Sequence, residues 1–217
     1  MIKNILLYLI LLVLLKGDVF LDFYKNIKKI KNPEDILVLV NKNNKLDKSF
    51  VPSDLLPIST DYAYDDKLVR LETKAAFESL AFSAIKNGYR IVAISTYRNY
   101  SYQEELYNHY VNEYGIEYAD NCSARKGHSE HQTGLAIDVE GSNKDYMQFA
   151  SSKEFVWMSK NAYKYGFILR YPEGKTYITG FKYEPWHYRY IGKDIAKEIY
   201  EKNITLEEYL DMKKNTN

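Results

Sequence analysis

His131 and Asp138 stand seven residues apart in the stretch SEHQTGLAIDV (Ser129–Val139), with Gly134 between them. An imidazole and a carboxylate are both good ligands for a divalent metal such as zinc. Only four histidines occur in the 217 residues: His109, His128, His131 and His187. His187 lies in YEPWHYRYIG (Tyr183–Gly192), three residues after Glu184. His131, Asp138 and His187 together make a His₂–carboxylate set. Three N/O ligands with a fourth position left to water describe a catalytic zinc site, whereas structural sites are closed by four protein ligands. Such a site activates water and polarises a carbonyl. Glu184 is then the candidate general base, taking a proton from the water and passing it to a leaving amine. His128, three residues before His131, is an alternative ligand. His109, among tyrosines in a helical stretch, reads as a surface residue. Cys122 is the sole cysteine, which excludes an intramolecular disulfide and a cysteine-based zinc cluster.

Bringing these side chains together requires strands. Leu135, Ile137 and Val139 alternate with Ala136, Asp138 and Glu140, the period-two pattern of a strand with one apolar face, and Asp138 falls on the other face. Gly134 allows a sharp turn by which His131 folds back over that face. Around His187 the alternation puts Trp186, Tyr188 and Tyr190 on one face and His187 with Arg189 on the other. Pro185 excludes Glu184 from a central strand and leaves it at the strand's mouth. Helices are expected at Leu71–Asn87, Ser101–Tyr114, about Glu154–Tyr165, Asp194–Lys202 and Leu206–Met212, the first three followed by Gly88, Gly115 and Gly166. Further strands are expected at Tyr89–Thr96 and in GFILRYP (Gly166–Pro172). Ile36–Val40 reads as a short β-prone run before a long loop, and the stretch up to Gly127 after the second helix reads as a polar loop. Strands and helices do not alternate strictly, so the class is α+β.

Lys+Arg 30 against Asp+Glu 29 leaves a net charge of +1, without the basic excess that nucleic-acid binding calls for. The composition, 46% hydrophobic and 27% charged, suits a packed domain. The first residues, MIKNILLYLILLVLLKGDVF, carry Lys3, an apolar run from Ile5 to Leu15, and Lys16. These are the charged and apolar regions of a secretory signal, in a run shorter than the about 20 residues of a full membrane span. The expected organisation is therefore a signal peptide or membrane anchor over 1–17, a tether over 18–34 and one catalytic domain over 35–217. The product is expected to be a monomer, exported to the outer face of the membrane or to the cell wall.

A third stretch, ISTYRNYSYQEELY (Ile94–Tyr107), joins the other two. With it the sequence resembles the VanY-type D-alanyl-D-alanine carboxypeptidases, zinc peptidases of the bacterial cell wall. The motif S-x-H-x-x-G-x-A-x-D is met by Ser129, His131, Gly134, Ala136 and Asp138. The motif E-x-W-H-x-R-Y is met by Glu184, Trp186, His187, Arg189 and Tyr190. The segment Y-R-S-x-x-x-Q-x-x-L-[YF] is met by Tyr97, Arg98, Gln103, Leu106 and Tyr107, with Asn99 in place of the serine. The likeness runs from about Asp35 to Leu210. It implies a small antiparallel sheet carrying zinc and flanked by helices, with His131, Asp138 and His187 as ligands and Glu184 as catalytic base. It also implies that Arg98 neutralises charge on a substrate carboxylate or tetrahedral oxyanion. Ser129, Gln103 and Trp186 would contact the substrate, a peptidoglycan stem peptide ending in D-Ala. An L,D-carboxypeptidase, a D,D-dipeptidase or an endopeptidase could use the same scaffold. A non-catalytic wall-binding module would have no use for Glu184 together with Arg98.

Overall fold

Two short parallel strands, β1 (Lys28–Lys29) and β2 (Asn44–Lys45), begin the chain of a computed structural model that describes residues 23–215. An antiparallel pair follows, β3 (Leu55–Pro57) and β4 (Leu68–Arg70). The main sheet contains β5 (Val92–Ser95), β6 (Ala136–Glu140), β7 (Phe167–Leu169) and β8 (His187–Tyr190), antiparallel throughout in the order β5-β6-β8-β7. The helices are α1 (Leu71–Lys86), α2 (Tyr100–Tyr114), α3 (Ile116–Cys122), α4 (Lys153–Asn161), α5 (Thr176–Thr179), α6 (Lys193–Lys202) and α7 (Leu206–Lys214). The architecture is the expected α+β one, a small antiparallel sheet flanked by helices. The expected signal or anchor segment 1–17 lies outside the described residues. Among those residues no helix is long and apolar enough to cross a membrane.

The apolar alternation sets the sheet's orientation. Ile137, Val139 and Tyr188 face one way and pack with Phe77, Leu80 and Ala84 of α1 and with Met158 of α4. The opposite face is left for Asp138, His187 and Arg189. All of β6 is buried, and on its polar face Asp138 lines a cleft.

Two local expectations give way. The run Ile36–Val40 forms no strand, because the carbonyls of Ile36 and Val38 accept hydrogen bonds from Arg189 Nη2 at 2.7 and 2.9 Å. Its side chains divide between two apolar clusters, Leu37 and Leu39 in one, Val38 and Val40 in the other. The polar stretch after Gly115 contains α3, which buries Ala119 and presents Asp120 to Tyr107 Oη and to both arms of Arg125. Residues 23–34, the described part of the expected tether, are mostly exposed and touch the domain at Phe23, Tyr24 and Ile30. There Tyr24 Oη accepts from the Arg125 backbone N–H, and Lys42 lies over the rings of Phe23, Tyr24 and Phe181.

Gly134 is the hinge between His131 and β6. Its φ of +66° lies in the left-handed region, and a Cβ there would meet Leu55 Cδ2 at 2.8 Å and Arg70 Cγ at 3.0 Å. Its carbonyl also accepts from the Arg70 N–H at 3.0 Å, so the turn cannot slide away. The backbone conformation alone costs an L-residue roughly 1–2 kcal/mol. Gly134→Ala is therefore expected to lower the unfolding free energy by at least that much, read from a denaturant midpoint. An unchanged midpoint would contradict this account of the turn.

Candidate active site

The pairing of β6 with β8 sets Asp138 directly opposite His187, and Ala136 opposite Arg189. His131 enters from a 3₁₀ turn, Glu130–Thr133, whose N-cap Ser129 accepts from the His131 N–H through Oγ at 3.3 Å. The His131 carbonyl receives the Arg98 backbone N–H, which ties the end of β5 to the same turn. The result is one buried cluster. Asp138 Oδ2 lies 3.2 Å from His131 Nε2, and Asp138 Oδ1 lies 2.9 Å from His187 Nδ1. The ligand atoms of these three residues all fall within 4.8 Å of one another.

The donor set fits zinc. His131 Nδ1 is 2.6 Å from the Thr96 carbonyl, a contact that requires the proton on Nδ1 and leaves the Nε2 lone pair free. Two imidazole nitrogens and one carboxylate oxygen, with no fourth protein ligand in the group, are the donors of an open zinc site. Burial would raise the Asp138 carboxyl, but His131 and His187 hold it well below the usual carboxylate range. Burial, with Arg98 nearby, lowers His131 to about 4. Burial also pushes His187 down, but Asp138 and Glu130 outweigh it and raise this imidazole to about 9.

Glu184 stands beside this group. Pro185 and Trp186 occupy the centre of a turn closed by the His187 N–H to the Glu184 carbonyl, at 3.1 Å. The Glu184 N–H is held by the Tyr171 carbonyl, also at 3.1 Å. The carboxylate reaches 3.9 Å from His187 Nδ1 through Oε2 and lines the cleft. Burial first, and then the charge of Asp138, raise it to about 7. Such a carboxyl exchanges a proton near neutral pH.

Arg98 lines the same cleft. Its Nη2 donates to Ser95 Oγ and to Asp138 Oδ2, both at 2.8 Å, and its Nε donates to Ser95 Oγ at 3.0 Å. Its second terminal nitrogen is not used in these bonds. Gln103 is buried in α2, where its Nε2 holds the loop at Ser123 Oγ and the Ala124 carbonyl at 3.2 and 2.8 Å. Trp186 immediately precedes β8. It lines the cleft, meets Tyr146 edge to face at 5.1 Å, and packs, like Tyr190, against the apolar cluster that contains Tyr188. His128 and His109 are not in the metal group. The former holds the Asn41 carbonyl at 2.9 Å through Nδ1, and the latter is exposed on α2.

The VanY family model, described as D-alanyl-D-alanine carboxypeptidase, matches residues 66–193, which include every candidate residue of the cleft. The chain belongs to this family. It is 39% identical over 203 residues to YodJ of Bacillus subtilis (strain 168), covering 88% of this chain and 74% of that one. Among solved structures it is similar to the LdcB LD-carboxypeptidase, with a TM-score of 0.80, 40% identity, and coverage of 86% of this chain and 91% of that one. It is also similar to a variant of the vancomycin-resistance D,D-pentapeptidase VanY in complex with Zn(II). There the TM-score is 0.70 and the identity 33%, over 80% of this chain and 98% of that one.

This VanY-family site holds residues that the reading of spacing passed over. Tyr171 lies against the His187 ring, with centroids 4.8 Å apart. Glu130, next to His131, is fully buried and receives Arg170 Nε at 2.7 Å and Arg189 Nη1 at 2.8 Å on one oxygen. Burial would raise its carboxyl, but the two guanidinium groups keep it well below the usual range. The signal was present. Arg170 sits in GFILRYP and Arg189 in E-x-W-H-x-R-Y, and two arginines inside apolar strands need a buried carboxylate.

Proposed function

We propose that the protein is a zinc D,D-carboxypeptidase that removes the terminal D-Ala from peptidoglycan stem peptides. The observation that carries the reading is the convergence of His131 Nε2, Asp138 and His187 Nδ1 in one cleft with Glu184 and Arg98 beside them. Zinc, when held by those three residues, supplies a Lewis acid that makes water nucleophilic near neutral pH and polarises the scissile carbonyl. Glu184 takes the proton of the attacking water on its carboxylate and returns it to the departing D-Ala nitrogen. Asp138 fixes the two imidazoles through its two oxygens, and the Thr96 carbonyl keeps His131 in the tautomer whose Nε2 faces the cleft. Arg98, braced on Ser95, turns its unused terminal N–H groups to the charge of the peptide's carboxylate or developing oxyanion. Ser129 and Trp186 form the walls against which the C-terminal residues lie, and Gln103 holds the 123–124 loop at that wall.

The likeness to LdcB supports a second reading, L,D-carboxypeptidase activity on a tetrapeptide stem. Incubation with stem pentapeptide and tetrapeptide, followed by mass spectrometry, separates the two. Loss of a single D-Ala from the pentapeptide alone supports the first reading. Shortening of the tetrapeptide supports the second, and release of a dipeptide contradicts both. The apolar run Ile5–Leu15 behind Lys3 supports action outside the membrane on the wall.

Arg98→Lys is expected to keep zinc bound and to lose most of the activity, because an ammonium cannot brace on Ser95 through two nitrogens while facing substrate. Wild-type turnover by this variant would remove Arg98 from the mechanism.

A further inference from the structure

Among the buried polar atoms without a hydrogen-bond partner are Glu130 Oε2 and His187 Nε2, beside the metal group. They face each other at 3.7 Å. The other Glu130 oxygen is already taken by Arg170 and Arg189, which share it at 2.7 and 2.8 Å. An ionised carboxylate only accepts hydrogen bonds, and the side-chain nitrogen that Oε2 faces is His187 Nε2. We infer that Glu130 is the positioning residue of the metal site, holding the His187 proton on Nε2 so that the Nδ1 lone pair faces Asp138 and the metal. This rests on the reading of His131, Asp138 and His187 as zinc ligands.

Glu130 is itself fixed from behind. Arg170 grips Glu207 at the start of α7 with two parallel bonds, Nη1 at 2.9 Å and Nη2 at 2.7 Å. The capping box of Thr205 and Glu208 sets that helix start. Asn41 Nδ2 donates to the same Glu207 at 3.2 Å. Arg189 is anchored on the Ile36 and Val38 carbonyls. Both arginines and Glu130 are completely buried, so none can swing out to water. The chain from α7 through Arg170 and Glu130 to His187 thus fixes which nitrogen of the imidazole is presented, and a carboxylate behind a metal-bound histidine raises its strength as a ligand.

Glu130→Gln tests this with little change in size. The two arginines, donors only, will hold the amide oxygen and turn the Nε2H₂ group towards His187 Nε2. Donor then meets donor, and the imidazole shifts its proton to Nδ1, where it competes with the metal. Zinc affinity of the full chain, measured by competition with a chromophoric chelator, is expected to fall roughly 10–100-fold. Glu207→Gln loosens the same buried network without touching His187 and should leave zinc affinity within about twofold of wild type while lowering stability. Equal zinc affinity in Glu130→Gln and wild type would overturn the inference, as would equal losses in the two variants. If Glu130→Gln does not fold, nitrogen NMR of the zinc-loaded wild type decides. A protected proton on His187 Nε2 supports the assignment, and a proton-free Nε2 overturns it. Wild type that binds no zinc at all would sink the metal reading itself, a result distinct from any of these.

Discussion

Glu184→Gln is expected to lower kcat on a stem peptide by roughly 10²–10⁴-fold while leaving zinc content and KM near their wild-type values. The substitution keeps the size of the side chain. The amide cannot take up a proton, so water activation and leaving-group protonation lose their carrier together. The structure supports this division of labour. Glu184 lies beside His187 at 3.9 Å but outside the group of three converging ligand atoms. It is 8% exposed, and burial places its carboxyl at about 7, where it can both accept and return a proton. Metal analysis of the same preparation makes the result decisive. Zinc lost along with activity would make Glu184 a fourth ligand, and the site would then be closed and structural.

Asp138→Asn is expected to have the opposite signature, losing metal first and activity as a consequence. Asp138 is the residue that both imidazoles meet, Oδ2 at 3.2 Å from His131 Nε2 and Oδ1 at 2.9 Å from His187 Nδ1. Arg98 donates to Oδ2 and will hold the asparagine oxygen there, which turns the amide N–H groups onto the His187 lone pair. The variant thus removes a charged ligand and blocks a second one. Zinc affinity should fall further than the roughly 10–100-fold typical of a residue that only supports a ligand. His128→Ala, by contrast, removes a histidine that holds the Asn41 carbonyl, and zinc should stay bound. Retention of zinc by Asp138→Asn at wild-type affinity would contradict the ligand assignment.

The site was legible in the sequence where local rules control it. Period-two alternation fixed which face of β6 carries Asp138, Gly134 marked the turn that returns His131, and Pro185 marked Glu184 as lying outside β8. The same rules had no purchase on Glu130. It reads as a charged residue in a turn, and its partners Arg170 and Arg189 lie 40 and 59 residues away in the chain. Ile36–Val40 misled for a related reason. Its β-prone side chains are real, but Arg189, more than 150 residues distant, captures the carbonyls a neighbouring strand would have used. Buried charge networks and captured carbonyls are long-range choices, and sequence spacing is silent on them.

The most direct test of a zinc-dependent hydrolase is to titrate metal back into stripped protein. The full chain is freed of metal with a strong chelator, the chelator is removed, and D-Ala release from a stem pentapeptide is followed as zinc is added. The expected result is no turnover without metal and a linear recovery that saturates at one zinc per chain, since one three-residue ligand group is formed among the described residues. Turnover that survives complete removal of metal would contradict the account, as would zinc bound at one per chain with no peptide hydrolysed.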